Sequence, residues 1–451
     1  MHHVHTHRAL LSAMLLLVLT SLAGCGSDDE SKDPDIRLQA DSSSYFVGET
    51  AKLTATFPKG TGRIEPGDIP VTSGQTITTP ILTTNIRYTL TVTEAGERSR
   101  RSLDLNVRYR ERVRAVAAPF ARSEHVAMPL ADGRVVIFGG EDAGSALPDT
   151  MYVFDPEDET FEHFGSLSSG RVAFTAIALY DGDILVYGGI TGLTAAPRVE
   201  IIDGETGAVS VPADQPTHTR IYAAASKLMD GRVLISGGMR SGQPYSQTVE
   251  RYDPQTQTFT LLPGGLNVGR AGHTMTRIND RAFLVYGGAT LNAVPAPPEL
   301  YDPATGNSTT LTTPESNGRL DHLVHTMRDG TVWIIGGQDF DGQPLYSVQR
   351  FDPATSTFLQ SFNMATSRNN AALARLADAR VLIVGGHTTA SASSATQTTE
   401  ILGLPTERRD GPQMSVKRWF HTATTLPNGK VLIFGGLDGQ QRVLSSAEIF
   451  E

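Results

Sequence analysis

The chain has a single cysteine, Cys25, among its 451 residues. No intrachain disulfide and no cysteine-rich metal site can therefore form. Charge is also scarce, with Asp, Glu, Lys and Arg making up 19% of the chain against the usual quarter. The balance is acidic, 38 Lys and Arg to 48 Asp and Glu, for a net charge of -10. That argues against a nucleic-acid partner, because a phosphate binder presents a basic face. Long apolar runs are few, and the run from Ala9 to Leu19 is too short to cross a bilayer. Glycine, in contrast, is abundant, with 44 residues. Low charge, much glycine and few long apolar runs point to a turn-rich β protein. At about 150 residues per domain the length suggests two or three domains, or one large repeat domain.

The first residues read as a processing signal. Arg8 and four histidines (His2, His3, His5, His7) precede the apolar run, which suits the core of a secretory signal peptide. The histidines look like a metal tract but lie in a segment that would be removed. Next comes Leu22-Ala23-Gly24-Cys25. This resembles the lipobox of bacterial lipoproteins, although the leading segment is thin in Lys and Arg. The alternative is an ordinary cleaved signal with an incidental cysteine. The resemblance implies a signal peptide over residues 1–24 and lipidation of Cys25, an anchor that each buried methylene strengthens by about 0.8 kcal/mol. It places the protein in a bacterial cell envelope, outside the cytoplasm. Gly26 after the cysteine implies the outer membrane in a Gram-negative cell. Residues 25–35, with the polar stretch Ser27 to Pro34, read as a flexible tether.

Residues 36–110 alternate short β-prone runs with turn residues, as in Lys52-Leu53-Thr54-Ala55-Thr56-Phe57 followed by Pro58-Lys59-Gly60. Such spacing suggests a β-sandwich. Val47-Gly48-Glu49-Thr50 and the Thr-rich run before Tyr88 resemble bacterial Ig-like or PKD-like spacer domains. In its last strand Leu103, Leu105, Val107 and Tyr109 share one face. Arginines crowd there: Arg98, Arg100, Arg101, Arg108, Arg110, Arg112 and Arg114. They read either as a patch for anionic headgroups or polysaccharide, or as a charged strand edge guarded against pairing.

The remainder is repetitive. Diglycines begin at Gly139, Gly188, Gly237, Gly287, Gly336, Gly385 and Gly435, a period of 49 or 50 residues. A short apolar strand precedes each, such as Val135-Val136-Ile137-Phe138, and its continuous apolarity predicts burial on both faces. Seven residues before each first glycine stands Asp or Asn (Asp132, Asp181, Asp230, Asp280, Asp329, Asp378, Asn428), usually followed by Gly in a hairpin turn. Seventeen residues before it stands Arg: Arg122, Arg171, Arg220, Arg270, Arg319, Arg368 and Arg418. An aromatic-Asp-Pro turn follows in four copies, as at Tyr252-Asp253-Pro254. This order resembles the kelch repeat, which implies an all-β fold, a seven-bladed kelch-type β-propeller over residues 112–451. The copies lack the Trp that kelch outer strands often carry. Repeat six has Leu402-Gly403-Leu404-Pro405 in place of the Asp-Pro turn, which leaves its outer edge open. The seventh copy lacks a fourth strand, and residues 112–120 alternate as a strand does, so they are expected to complete that blade.

The arginine ring has two readings. It is a cationic ring for an acidic ligand, because the guanidinium fork matches carboxylates, or it is structural. In the second reading Glu200, Glu250, Glu299, Glu400 and Glu448 pair with it across neighbouring blades. His125, His273, His322 and His421 stand three residues after an arginine, where Phe174, Ala223 and Ala371 also occur. Packing between blades is expected of them, and no metal. His322 and His325 are three apart, which on a strand directs them to opposite faces. Loops after the diglycines are expected to carry specificity, with Asp339, Phe340 and Tyr346 the candidates for a peptide or sugar. Two functions stand: a non-catalytic module binding a protein or glycan at one rim, or a carbohydrate-active enzyme resembling kelch-fold sialic-acid epimerases, with its site in the channel. Kelch-fold copper oxidases use a Tyr–Cys crosslink, which a lipidated Cys25 leaves unsupported. No cofactor and a monomer are expected.

Overall fold

The computed structural model describes residues 35–192, 198–216, 220–240, 244–291, 295–313 and 318–451. The signal segment, Cys25 and most of the tether lie outside the described residues. Two compact units are present. In the first, Arg37–Ala40 pairs antiparallel with Lys52–Thr56, and Thr61–Glu65 pairs with Ile69–Val71 and Ile86–Glu94. Leu53, Ala55, Ile64 and Leu90 are fully buried there.

The second unit comprises Leu105–Glu451 together with Ser42–Ala51 and Thr78–Ile86. It contains seven four-stranded antiparallel sheets, one per repeat. The first is Val126–Pro129, Val135–Phe138, Thr150–Asp155 and Thr160–Ser166. Every second strand is buried at all four of its last residues, as Val135–Phe138 and Val381–Val384 are. Side chains on both of its faces meet a neighbouring blade, which is why the sequence there shows no alternation. Repeat six, despite its missing Asp-Pro turn, forms an ordinary outer strand, Glu407–Asp410, in register with Thr399–Gly403. Blade seven takes its outer strand from Val113–Ala117, paired antiparallel with Ser446–Phe450.

The diglycines join blade to blade. In all seven, the second glycine donates its N–H to the carbonyl of the arginine of the next repeat, from Gly140 to Arg171 at 2.9 Å round to Gly436 to Arg122 at 2.8 Å. That last bond closes the ring. The first glycine has φ between +58° and +69°, and a Cβ on Gly188 would overlap the Arg220 carbonyl oxygen. Only glycine combines that backbone with so close an approach. A second ring lies two residues after each arginine. Glu124, Ala173, Tyr222, Asp321, Asn370 and Phe420 all have φ between +51° and +55°, and Gly272 has +67°. The left-handed region costs a non-glycine residue about 1–2 kcal/mol. The cost is offset where these residues bond to one another: Tyr222 N–H donates to Ala173, Gly272 to Tyr222, Phe420 to Asn370 and Glu124 to Phe420.

Candidate functional site

The seven arginines are buried, none more than 4% exposed. Their side chains turn into the blade body, so a ligand in a channel does not meet a cationic ring. In six blades the guanidinium donates to the carbonyl of its own first glycine, as from Arg319 to Gly336 at 2.8 Å and Arg418 to Gly435 at 2.8 Å. This bond is the 17-residue spacing seen in the sequence. The expected glutamate pairing occurs, but within each repeat and not across neighbouring blades. Arg171 pairs with Glu200, Arg220 with Glu250, Arg270 with Glu299, Arg368 with Glu400 and Arg418 with Glu448. The reason is geometric: the third strand of each blade runs back past the arginine that opens it. Each carboxylate except that of Glu250 also accepts a backbone N–H from the connection just before the arginine, such as Asn267 to Glu299 at 2.8 Å. The pair thus clamps the chain where it enters the blade. Two blades lack the glutamate. Arg122 bonds to the Thr150 hydroxyl at 2.8 Å, and Arg319 to that of Ser347 at 2.6 Å.

The four histidines after the arginines pack between blades. His125 lies 2.9 Å from the Thr422 hydroxyl, His273 2.9 Å from that of Ser236 and His322 3.0 Å from that of Thr274, each on the preceding blade. Burial, reinforced by the nearby guanidiniums, pushes these three imidazoles down to about 3. They are neutral in the fold and titrate near 6.5 when unfolded. Between those values the unfolded chain binds protons that the fold refuses, so their contribution is complete above pH 6.5 and is lost as pH falls toward 3. Melting temperature is therefore expected to fall steadily below pH 6.5. A His125→Phe, His273→Phe, His322→Phe chain should show a flatter fall, and an identical slope in the two chains would refute this origin. Among the described residues no group of three or more His, Cys, Asp or Glu is arranged to hold a metal.

The loops after the diglycines share one end of the ring with the arginine carbonyls. Asp339 is a loop staple, its carboxylate accepting Asp341 N–H at 3.0 Å and Gln343 N–H at 2.8 Å. Asp142 and Asp438 do the same in blades one and seven. Phe340 is half-buried and sits against Gly318. Tyr346 projects into solvent at 53% exposure, and Ile190, Tyr222 and Leu291 are exposed at the same end. His387 lies against Trp419 with ring centroids 4.0 Å apart and planes tilted by 40°. Among them stands an acidic group. Burial raises the Glu124 carboxyl, and the Glu141 and Asp321 charges add to the rise. Asp321, raised by burial, accepts from Gln338 at 2.9 Å. Asp339, Phe340 and Tyr346 thus stay on one rim, but only Tyr346 is free to meet a partner. Tyr222, Glu124 and Asp321 escaped the sequence reading, although their fixed offset from each arginine was there to be used. Tyr180 and Met229 are exposed at the opposite end.

The arginine-rich strand end is largely engaged. Arg110 pairs with Glu49, Arg112 with Glu451 and Arg114 with Glu159, and Arg108 lies over the Phe46 ring at 5.1 Å. Arg98 and Arg101 remain exposed.

Comparison with known proteins matches residues 102–288 to the KLHDC2/KLHL20/DRC7 Kelch-repeats domain and residues 323–360 to the Kelch motif. No curated protein matches the chain. Among solved structures it is similar to a fungal alcohol oxidase of the AA5 family in complex with copper, with a TM-score of 0.62, 16% identity and 75% of each chain covered. At that identity the likeness concerns the fold alone.

Proposed function

We propose that this kelch-repeat β-propeller is a non-catalytic binding module whose diglycine-loop rim takes a protein or glycan partner. The observation that carries the reading is the exposure of Ile190, Tyr222, Leu291 and Tyr346 at one end of the ring, while the arginines of every blade are buried. Grouped apolar residues on an otherwise polar surface mark interaction sites. Aromatic residues beside carboxylates suit a peptide with basic residues or a stacked sugar face. In this reading the lipobox-like Leu22 to Cys25 holds the module on the outside of a cell envelope, with the first unit as spacer. Replacing Cys25 by Ser then moves the protein from the membrane to the soluble fraction.

The test is a glycan array and a pull-down from envelope extract, run with the full chain. A Tyr222→Ala, Tyr346→Ala chain should lose binding at least ten-fold, since each buried aromatic anchor contributes about 2 kcal/mol or more at an interface. Tyr180→Ala at the opposite end should change nothing. No binding to either class, or equal loss with Tyr180→Ala, refutes the rim as the site.

A further inference from the structure

The inner strands leave a cavity of about 640 Å³ lined by blades two to five. That is ample for a small ligand. Its walls are polar in a particular way. Ser226, Thr276, His325 and Thr326 line it or its edge; their backbones are held in the strand ladders, while their side chains make no hydrogen bond among the described residues. Ser226, Thr276 and His325 hold the same position, six residues after the arginine of their blades.

The next position, seven after the arginine, is Lys227 in blade three, Arg277 in blade four and Arg375 in blade six. All inner strands run in the same direction, so these cations gather at the end of the channel away from Glu124 and Asp321. Arg277 itself lines the cavity. Its Nη1 is buried without a hydrogen-bond partner, and its nearest carboxylate, Asp280, stands 3.8 Å away. Asp280 in turn already accepts the Met229 N–H at 3.0 Å. Lys227 lies over the Tyr180 ring at 4.6 Å. Burial pulls the Lys227 ammonium below its ordinary range and Arg277 repels it further, with Asp181 only partly opposing. His325 is lowered by burial and then by Arg375. Lys227 and His325 are thus each disfavoured as cations by a neighbouring arginine.

We propose that this end of the channel binds a small oxyanion, carried by a hydroxyl-rich molecule such as a sugar acid. Arg277 would hold the oxyanion, with Lys227 and Arg375 supplying charge. The free hydroxyls of Ser226 and Thr276 and the His325 ring would face the ligand's own hydroxyls. The Arg277 side chain is 32% exposed and lines the cavity, so an oxyanion there would meet the accessible part of its guanidinium in a charge-assisted contact. This site is separate from the rim and stands or falls without it.

Calorimetric titration of the full chain with glucuronate, inorganic phosphate and glucose tests the proposal. Glucuronate or phosphate should bind and weaken with added salt, and glucose should not. The two anions separate a sugar acid from a bare phosphate as the source of the charge. Arg277→Gln and Arg375→Gln should each lower the affinity roughly ten-fold or more, with unchanged melting curves. Asp339→Asn, at the far rim, should leave it alone. Failure of both anions to bind, glucose binding as tightly, or intact affinity in both arginine variants overturns the proposal.

Discussion

Arg270→Met should be among the most damaging single substitutions in the chain, with a fall in melting temperature on the order of 10 °C. Arg270 and Glu299 are both completely buried. The guanidinium donates to Gly287 at 3.2 Å, to Pro297 at 3.0 Å and to the Glu299 carboxylate. Removing one partner of a buried pair leaves the other charge without compensation, at about 3–5 kcal/mol, and each kcal/mol shifts the melting point by roughly 2–4 °C in a chain this large. The double variant Arg270→Met, Glu299→Gln should lose less than the single one, because the remaining amide can still accept from Asn267 and carries no charge. Arg319→Met should also lose less, since blade five has Gln349 where five other blades have glutamate and no charge is orphaned. Arg281→Ala, whose side chain is 71% exposed beside Asp302, should change little. Thermal melts of the five chains decide the matter. If Arg270→Met melts like Arg281→Ala, the arginines are not the blade clamps described above.

That ordering of effects shows what the sequence carries and what it hides. Period, diglycine and arginine together predict where each blade begins and how many there are, because each repeats as a residue identity at a fixed offset. The partner of each arginine does not repeat in so visible a form. Glu299 is 29 residues from Arg270 and Glu400 is 32 from Arg368, because loops of different length intervene, so the choice between own blade and next blade waits on strand register. The left-handed ring is harder still. Glu124, Ala173, Tyr222, Gly272, Asp321, Asn370 and Phe420 share no side-chain chemistry, and the backbone alone makes them alike. Propensity would have placed glycine, asparagine or aspartate at such positions, and only Gly272, Asp321 and Asn370 obey it. For the rim, a side chain's loop says nothing of its exposure: Phe340 and Tyr346 are six residues apart, and one packs on Gly318 while the other faces water. The channel cations are hidden in the sequence for a related reason. Lys227, Arg277 and Arg375 occur in three blades of seven, too few to register as a repeat, yet a ring brings three scattered positions to one end.

Closure of the ring rests on the outer strand of blade seven. Val113 to Ala117 lies beside Ser446 to Phe450, with Val116 opposite Ala447 and Ala115 opposite Glu448. Main-chain bonds run both ways between Arg112 and Glu451, at 3.3 and 3.1 Å. Against a burial penalty, hydrogen bonds from Arg112 and Lys430 hold the Glu451 carboxyl below its usual range. Just after the strand, Phe120 stacks on Tyr152 at 4.0 Å and tilts against Phe434 at 4.9 Å, so it touches blade one and blade seven together. Deleting residues 112–120 strips Ile449 and Phe450 of their cover and leaves the strand edge open. Loss of a large aromatic from a core by itself costs about 3–5 kcal/mol, so the melting temperature should fall by at least as much as in Arg270→Met. A synthetic peptide of residues 112–120 should restore part of the loss in proportion to its concentration, because a strand that binds only the folded ring stabilises it by mass action. Phe120→Ala should give an intermediate curve. A deletion that melts like the intact chain would mean that the hydrogen bond from Gly436 to Arg122 and the inner strands suffice to hold the first and last blades together.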